Sequence, residues 1–190
     1  MGGWDWNHDH LHGHETGDDL SANPHLWLDP IFARHAVSNI LDALVRLDPS
    51  HAAAFTARAG AYQLRLAALD DQIRTALAGY HGKPVVTFHD AFPYFCRRYQ
   101  LDLVGVIESN PGAESSPRYK AELSRVIRAR GVRVIFTEPQ SNPRPAEQLG
   151  RDLGVPVTAL EVLETGPAEA AFYEEAMRRN LAVLQATLGK

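Results

Sequence analysis

Phe55, Ala59, Tyr62, Leu66, Leu69, Ile73 and Leu77 follow one another in steps of four and three, which lays a single apolar stripe along one face of a helix. Nothing interrupts the pattern from Pro49 to about Ala78. At about 1.5 Å per residue such a helix is on the order of 45 Å long. That is more than one small domain needs, so the segment reads as a strut with room for a lobe at either end. The residues before it fit the same picture. Asp29-Pro30 has the form of an N-cap followed by proline at the first helical position. Val37, Ile40, Leu41, Leu44 and Val45 then recur at helical spacing until Asp48-Pro49 breaks the run.

From Gly79 the rhythm changes. Short β-prone runs at Val85 to Phe88, Leu101 to Ile107, Val132 to Thr137 and Val155 to Leu160 are separated by gaps long enough for a crossover helix. Ser116-Pro117 and Pro143 to Pro145 mark helix starts, and Gly131 marks a stop. The expected fold class is therefore α/β, with a long strut helix followed by a four-stranded parallel sheet flanked by helices. A C-terminal helix from about Pro167 to Leu188 closes it. The chain divides into a mobile His-rich loop over residues 1–24, a helical strut over 25–79 and an α/β lobe over 80–190.

Composition narrows the function. A chain of 190 residues with 45% hydrophobic content can bury a real core. Its 19 basic and 23 acidic residues give a formal charge of −4, and no Lys/Arg cluster is interleaved with aromatics, which argues against nucleic acid as a partner. No stretch approaches the roughly 20 apolar residues of a membrane span. The opening Met1-Gly2-Gly3-Trp4-Asp5 has neither the basic nor the apolar region of a secretory signal, so no signal peptide is expected within this chain. Cys96 is the single cysteine, which excludes an internal disulfide and a thiolate zinc knuckle.

The chemistry collects in histidines. Five of the nine lie in the first 25 residues, and four alternate as His8-Asp9-His10-Leu11-His12-Gly13-His14. No packed core requires that spacing, and imidazole is the commonest protein ligand for zinc and its neighbours. A purification tag carries contiguous histidines, whereas these are interrupted by Asp, Leu and Gly, so metal handling is favoured over a cloning remnant or a solvated loop.

In a parallel sheet, ligands bind beyond the carboxyl ends of the strands. His89 follows the first β run, Glu138 the third, and Glu161 ends the fourth. Each alone has an ordinary structural explanation: Glu138 could brace the turn before Pro139, Glu161 could be an exposed strand end, and His89 could bond to backbone while Asp90 caps the next helix. Together on one edge they form a constellation that periodicity does not require. His25 lies in Asn23-Pro24-His25-Leu26-Trp27-Leu28-Asp29-Pro30, where prolines on both sides stiffen the chain and Trp27 and Leu28 anchor it. A histidine held in one pose suits a preorganised site.

These strings carry a family resemblance. Asn23 to Pro30, Leu47-Asp48-Pro49, Thr87 to Phe95, and Phe136-Thr137-Glu138-Pro139-Gln140 resemble, in order, landmarks of the cluster A-I substrate-binding proteins, the zinc and manganese receptors of ABC importers. The zinc branch is the more similar. The resemblance implies two α/β lobes joined by one rigid helix, with a mobile histidine-rich loop shortly before the Pro-His-Leu-Trp motif. It implies that His25 and His89 correspond to the family's second and third metal histidines, and that His8, His10, His12 and His14 match the loop. Glu161 falls where the family has an aspartate in a Leu-Asp-Pro-Leu string, keeping the carboxylate but adding a methylene and losing the proline. Glu138 matches a glutamate that orients the site rather than binding metal. The family's first metal histidine belongs to an amino-terminal lobe without a counterpart in this chain.

The resulting expectation is a high-affinity zinc-binding component of a metal ABC importer in truncated form, not an enzyme. It would be periplasmic or otherwise extracytoplasmic and would partner a membrane permease. Zinc is expected over manganese because nitrogen-rich sites suit it. Two other classes explain some of the same residues. One is a zinc hydrolase with Glu138 as base, although no His-Glu-x-x-His pair is present. The other is a histidine-rich metal buffer or chaperone that uses only the loop.

Overall fold

The computed structural model describes residues 23–108 and 115–189. Asp29 caps the first helix, α1 (Pro30–Leu47), by accepting the Ile31 amide at 2.8 Å, with Pro30 in the first turn as its missing N–H allows. A 3₁₀ turn over Pro49–His51 leads into α2 (Ala52–Leu77), and a second over Ala78–Tyr80 ends it. The long helix is therefore present, with its α-helical part shorter at both ends than the stripe predicts. The helix α1 packs back along α2, and Gln63 donates across the pair to Ser38 Oγ at 2.8 Å.

The stripe divides into two halves with different partners. Leu66, Leu69, Ile73 and Leu77 are fully buried, whereas Phe55, Ala59 and Tyr62 are half-buried. The second half enters the core of the lobe, and the first half meets mainly α1. That leaves Ile40, Leu44, Leu47 and Leu64 exposed on this hairpin.

The remaining elements alternate as expected: β1 (Pro84–Thr87), α3 (Pro93–Arg98), β2 (Asp102–Val106), α4 (Pro117–Arg130), β3 (Ile135–Thr137), α5 (Arg144–Leu153), β4 (Val157–Ala159) and α6 (Phe172–Leu188). Among the described residues the strand pairings are parallel, in the order β2-β1-β3-β4. Side-chain alternation fixes the two faces. Val85 and Phe136 point into a cluster with Leu69, Ile73, Phe95, Tyr99, Met177 and Leu184, which places α2, α3 and α6 on one side. Val86 and Ile135 point the other way, against Leu123 and Ile127 of α4 and Ala146 of α5.

Two strands start later than their sequences suggest, for one reason. Gly131 (φ 65°) and Gly154 (φ 68°) close α4 and α5 in the left-handed conformation, and the next amide bonds back into the helix: Val132 to Ile127 O at 3.0 Å, Val155 to Gly150 O at 2.9 Å. Val132 and Val155 are spent on ending helices and join no ladder. Gly150 also lets α5 approach the following segment, since a Cβ there would lie 2.6 Å from Val157 Cγ2 and 2.7 Å from Val155 O. Similarly, residues 167–171 form turns ahead of α6, which begins at Phe172 and not at Pro167.

From β1 the chain crosses to β2 on one side, and from β3 it crosses to β4 on the other. The carboxyl ends of β1 and β3 therefore flank the point where the winding reverses, the crevice in which open α/β sheets bind ligands.

Candidate metal centre

Three segments converge on that crevice. The first is the turn before α1. Leu26–Leu28 forms one 3₁₀ turn, Leu28 is a fully buried plug, and Trp27 donates from Nε1 to Val162 O at 2.7 Å. Tyr173 of α6 donates to Trp27 O at 2.6 Å. Asp29 is buried and, besides capping α1, pairs with Arg98 of α3. These contacts fix His25 against the sheet. The second segment leaves β1, where Thr87 Oγ1 donates to His89 O at 2.8 Å and sets the turn that presents His89. The third leaves β4 and reverses at Leu163, whose φ of 59° is rare for a non-glycine residue and brings Glu164 back over the edge.

The Nε2 atoms of His25 and His89 lie 3.1 Å apart. Glu164 Oε1 is 3.3 Å from His25 Nε2 and 3.9 Å from His89 Nε2. Among the described residues these three form a group able to hold a metal ion. Two donors bound tetrahedrally to zinc, each about 2.0–2.1 Å from it, must stand about 3.3 Å apart. The observed separations bracket that value. His25 and His89 are buried while Glu164 is exposed, so the ring nitrogens face a site open on the carboxylate side.

The ring tautomers follow from what stands behind each histidine. His89 Nδ1 donates to Glu138 Oε1, which also accepts the His89 amide at 3.3 Å, while Glu138 Oε2 accepts Ser141 Oγ at 2.8 Å. His25 Nδ1 donates to Asn23 Oδ1 at 2.9 Å. With both Nδ1 atoms protonated, both neutral rings would turn lone pairs toward each other at 3.1 Å. A proton or a cation must lie between them.

The two rings differ in basicity. Burial pulls His25 down, the neighbouring His89 charge pulls the same way, and the Glu164 contact only partly opposes them, so His25 titrates below its ordinary value. Burial also pulls His89 down, but the Glu138 hydrogen bond and charge outweigh it and raise His89. Burial pushes Glu138 up, and its bonds from His89 and Ser141 more than reverse this. A proton in the metal-free site therefore belongs to His89.

The sequence-named residues are only partly brought together. His25 and His89 meet, and Glu138 stands directly behind His89, on the side away from His25. Glu161 does not join them. Its carboxylate turns outward to Arg179, with Nε at 2.6 Å and Nη2 at 3.0 Å, and its backbone amide is held by Asn180. The carboxylate that faces the histidines is Glu164, three residues later. Strand alternation cannot find it, because β4 ends at Ala159 and the reversal at Leu163 uses a conformation that leucine rarely adopts. A second acid close after the strand was the only available signal. Asp90 does not cap α3, which starts after Phe92, and instead accepts from Asn23. His8, His10, His12 and His14 lie outside the described residues.

Over residues 3–187 the chain matches the family described as the periplasmic zinc-uptake complex component A, ZnuA. The chain belongs to this family. It is 32% identical over 185 residues to the zinc-binding protein AdcA of Streptococcus pyogenes serotype M1, covering 95% of this chain and 36% of AdcA. In structure it is similar to the laminin-binding protein Lmb of Streptococcus agalactiae, described as an adhesin with metal-transporting activity, with a TM-score of 0.80 and 33% identity over 87% of this chain and 65% of that one. A zinc-bound AdcAII variant of Streptococcus pneumoniae gives a TM-score of 0.79 and 30% identity, over 87% of this chain and 60% of that one. The chain thus spans little more than a third of AdcA and about two thirds of Lmb. The zinc-receptor resemblance carried by the histidine motifs and the α/β fold are both upheld by these relatives.

Proposed function

We propose that this chain is the zinc-capturing part of a substrate-binding protein that works outside the cytoplasm and delivers zinc to the membrane permease of an ABC importer. One observation carries the reading: two buried imidazole nitrogens and a carboxylate oxygen converge with tetrahedral spacing. His25, His89 and Glu164 are the proposed ligands, with water or a loop histidine in the fourth position. Two nitrogens and one oxygen favour zinc over manganese. Glu138 holds His89 in the tautomer that binds through Nε2. Residues 1–22 would add weaker sites through His8, His10, His12 and His14.

The hydrolase reading asks Glu138 to act as a base toward a metal-bound water. Both of its oxygens are already accepting bonds from His89 and Ser141, and it faces the Nδ1 side of His89, opposite the ring nitrogen that would bind metal. Competitive zinc titration of the metal-free protein tests the proposal. His25→Ala or His89→Ala should weaken the tightest site at least tenfold, while removal of residues 1–18, which at most exchanges a loop histidine for water in the fourth position, should weaken it less than either. Equal affinity in wild type and the His25→Ala/His89→Ala double variant refutes it, and loss of the tight site on removing residues 1–18 favours the loop-only buffer.

A further inference from the structure

We propose that Asn23 is a positioning residue that selects the metal-binding tautomer of His25 and locks His25 in register with His89. The inference rests on the metal centre proposed above, but it concerns a residue that neither binds the ion nor belongs to the sheet edge.

The side-chain amide of Asn23 uses both of its ends. Its Nδ2 donates to the Asp90 backbone oxygen at 2.6 Å and to Asp90 Oδ2 at 3.1 Å. Its Oδ1 accepts the His25 amide at 3.0 Å and His25 Nδ1 at 2.9 Å. The backbone oxygen of Asn23 accepts Tyr94 Oη at 3.0 Å. One half-buried residue thus ties the turn carrying His25 to the residue that directly follows His89.

The orientation of the amide is dictated by its partners. On one side a carbonyl and a carboxylate can only accept, so that side must present NH₂; on the other a backbone N–H can only donate, so that side must present oxygen. His25 Nδ1, meeting this same oxygen, must then carry the proton, and Nε2 is left with the lone pair aimed at His89. Aspartate would offer no donor and would oppose the Asp90 carboxylate. An apolar residue of similar size would leave Nδ1 and the His25 amide without an acceptor. His89 has its tautomer set by a carboxylate and His25 by a neutral amide, so the two histidines are oriented by different chemistry.

The test combines nitrogen-15 NMR of the histidine rings in the zinc-loaded protein, where the ion supplies the cation needed between the two Nε2 atoms, with zinc titration and thermal melting. In wild type the His25 ring should carry its proton on Nδ1. Asn23→Leu should mix the tautomers and weaken zinc binding about tenfold to a hundredfold, the range for residues that orient a metal ligand. Asn23→Asp should keep the Nδ1 proton yet lose the tie to Asp90. Adding Asp90→Asn to Asn23→Asp should recover only part of that tie, because the backbone oxygen of residue 90, which accepts from Asn23 at 2.6 Å in wild type, still meets a group without a donor. A wild-type His25 protonated on Nε2 overturns the proposal, as does wild-type affinity in a folded Asn23→Leu protein. If Asn23→Leu does not fold, the wild-type tautomer still decides. His25→Ala measured alongside separates the two claims: tight binding that survives it removes the metal centre itself, whereas tight binding lost there but kept in Asn23→Leu removes only the role of Asn23.

Discussion

Exchanging Glu164 for Gln, in parallel with Glu161 for Gln, asks which carboxylate beyond β4 the site uses. Structural zinc sites contribute about 10–16 kcal/mol with four protein ligands, so one ligand carries on the order of 3 kcal/mol, roughly a hundredfold in Kd. Glu164 is exposed, and water can occupy part of the place it leaves, which lowers the expected loss for Glu164→Gln to between about tenfold and a hundredfold. Glu161→Gln removes only a solvent-screened surface ion pair with Arg179 and should leave zinc affinity unchanged. The assay is competition with a chromophoric chelator at fixed pH and ionic strength, with melting curves to confirm that both variants fold. Unchanged affinity in Glu164→Gln, or a tenfold loss in Glu161→Gln, would refute the assignment.

Zinc affinity should fall as pH drops, and the sign follows from the two shifts. Because His89 is raised, its proton competes with zinc from above the ordinary value of about 6.5, while lowered His25 competes only below it. Calorimetry in buffers of different ionisation enthalpy should find protons released on zinc binding just above pH 6.5, and equal occupancy at about pH 7 and pH 5 would count against histidine ligation. In the metal-free protein the raised His89 stabilises the fold fully below about pH 6.5, and this contribution disappears as pH rises through its folded value. Gly150→Ala should destabilise the fold by about 1–3 kcal/mol in urea unfolding, because the new methyl meets backbone as well as Val157, with zinc affinity little changed if the lobe still folds. Asp29→Ala removes the α1 cap and leaves Arg98 with only its longer ion pair to Asp70 at 3.8 Å, and a loss of about 1–2 kcal/mol with weaker zinc binding is expected; a melt like wild type would show that Asp29 does not anchor His25.

Much of the fold was legible because its signals are local. The Asp29-Pro30 and Ser116-Pro117 helix starts, the Gly131 stop and the four β runs each depend on a few adjacent residues, and each lies where the sequence suggested. Strand lengths were less legible, since the amides of Val132 and Val155 close helices instead of joining ladders, a choice that β-propensity does not encode. His25 and His89 could be named because each sits in a stiff, punctuated motif. Glu164 could not, because its place depends on a left-handed leucine that only tertiary packing sustains. Asn23 was visible as part of a motif, but its hydrogen bonds to Asp90 span 67 residues and belong to the folded chain alone.

The spread of the proposed ligands along the chain bears on how the ion would be let go. His25 and His89 are 64 residues apart, and His25 and Glu164 are 139 apart, so a bound ion acts as a cross-link that closes most of the chain into large loops. Because closure entropy grows only slowly with loop length, the ion is favoured chiefly by its bonds, yet its grip is felt wherever those loops meet. Amide exchange should therefore slow together in residues 24–28, 88–91 and 161–166 when zinc binds, and remain unaltered at the far end of the α1–α2 hairpin. None of the three ligands lies within a strand. Release then asks one surface turn to lift, with the sheet beneath it left intact.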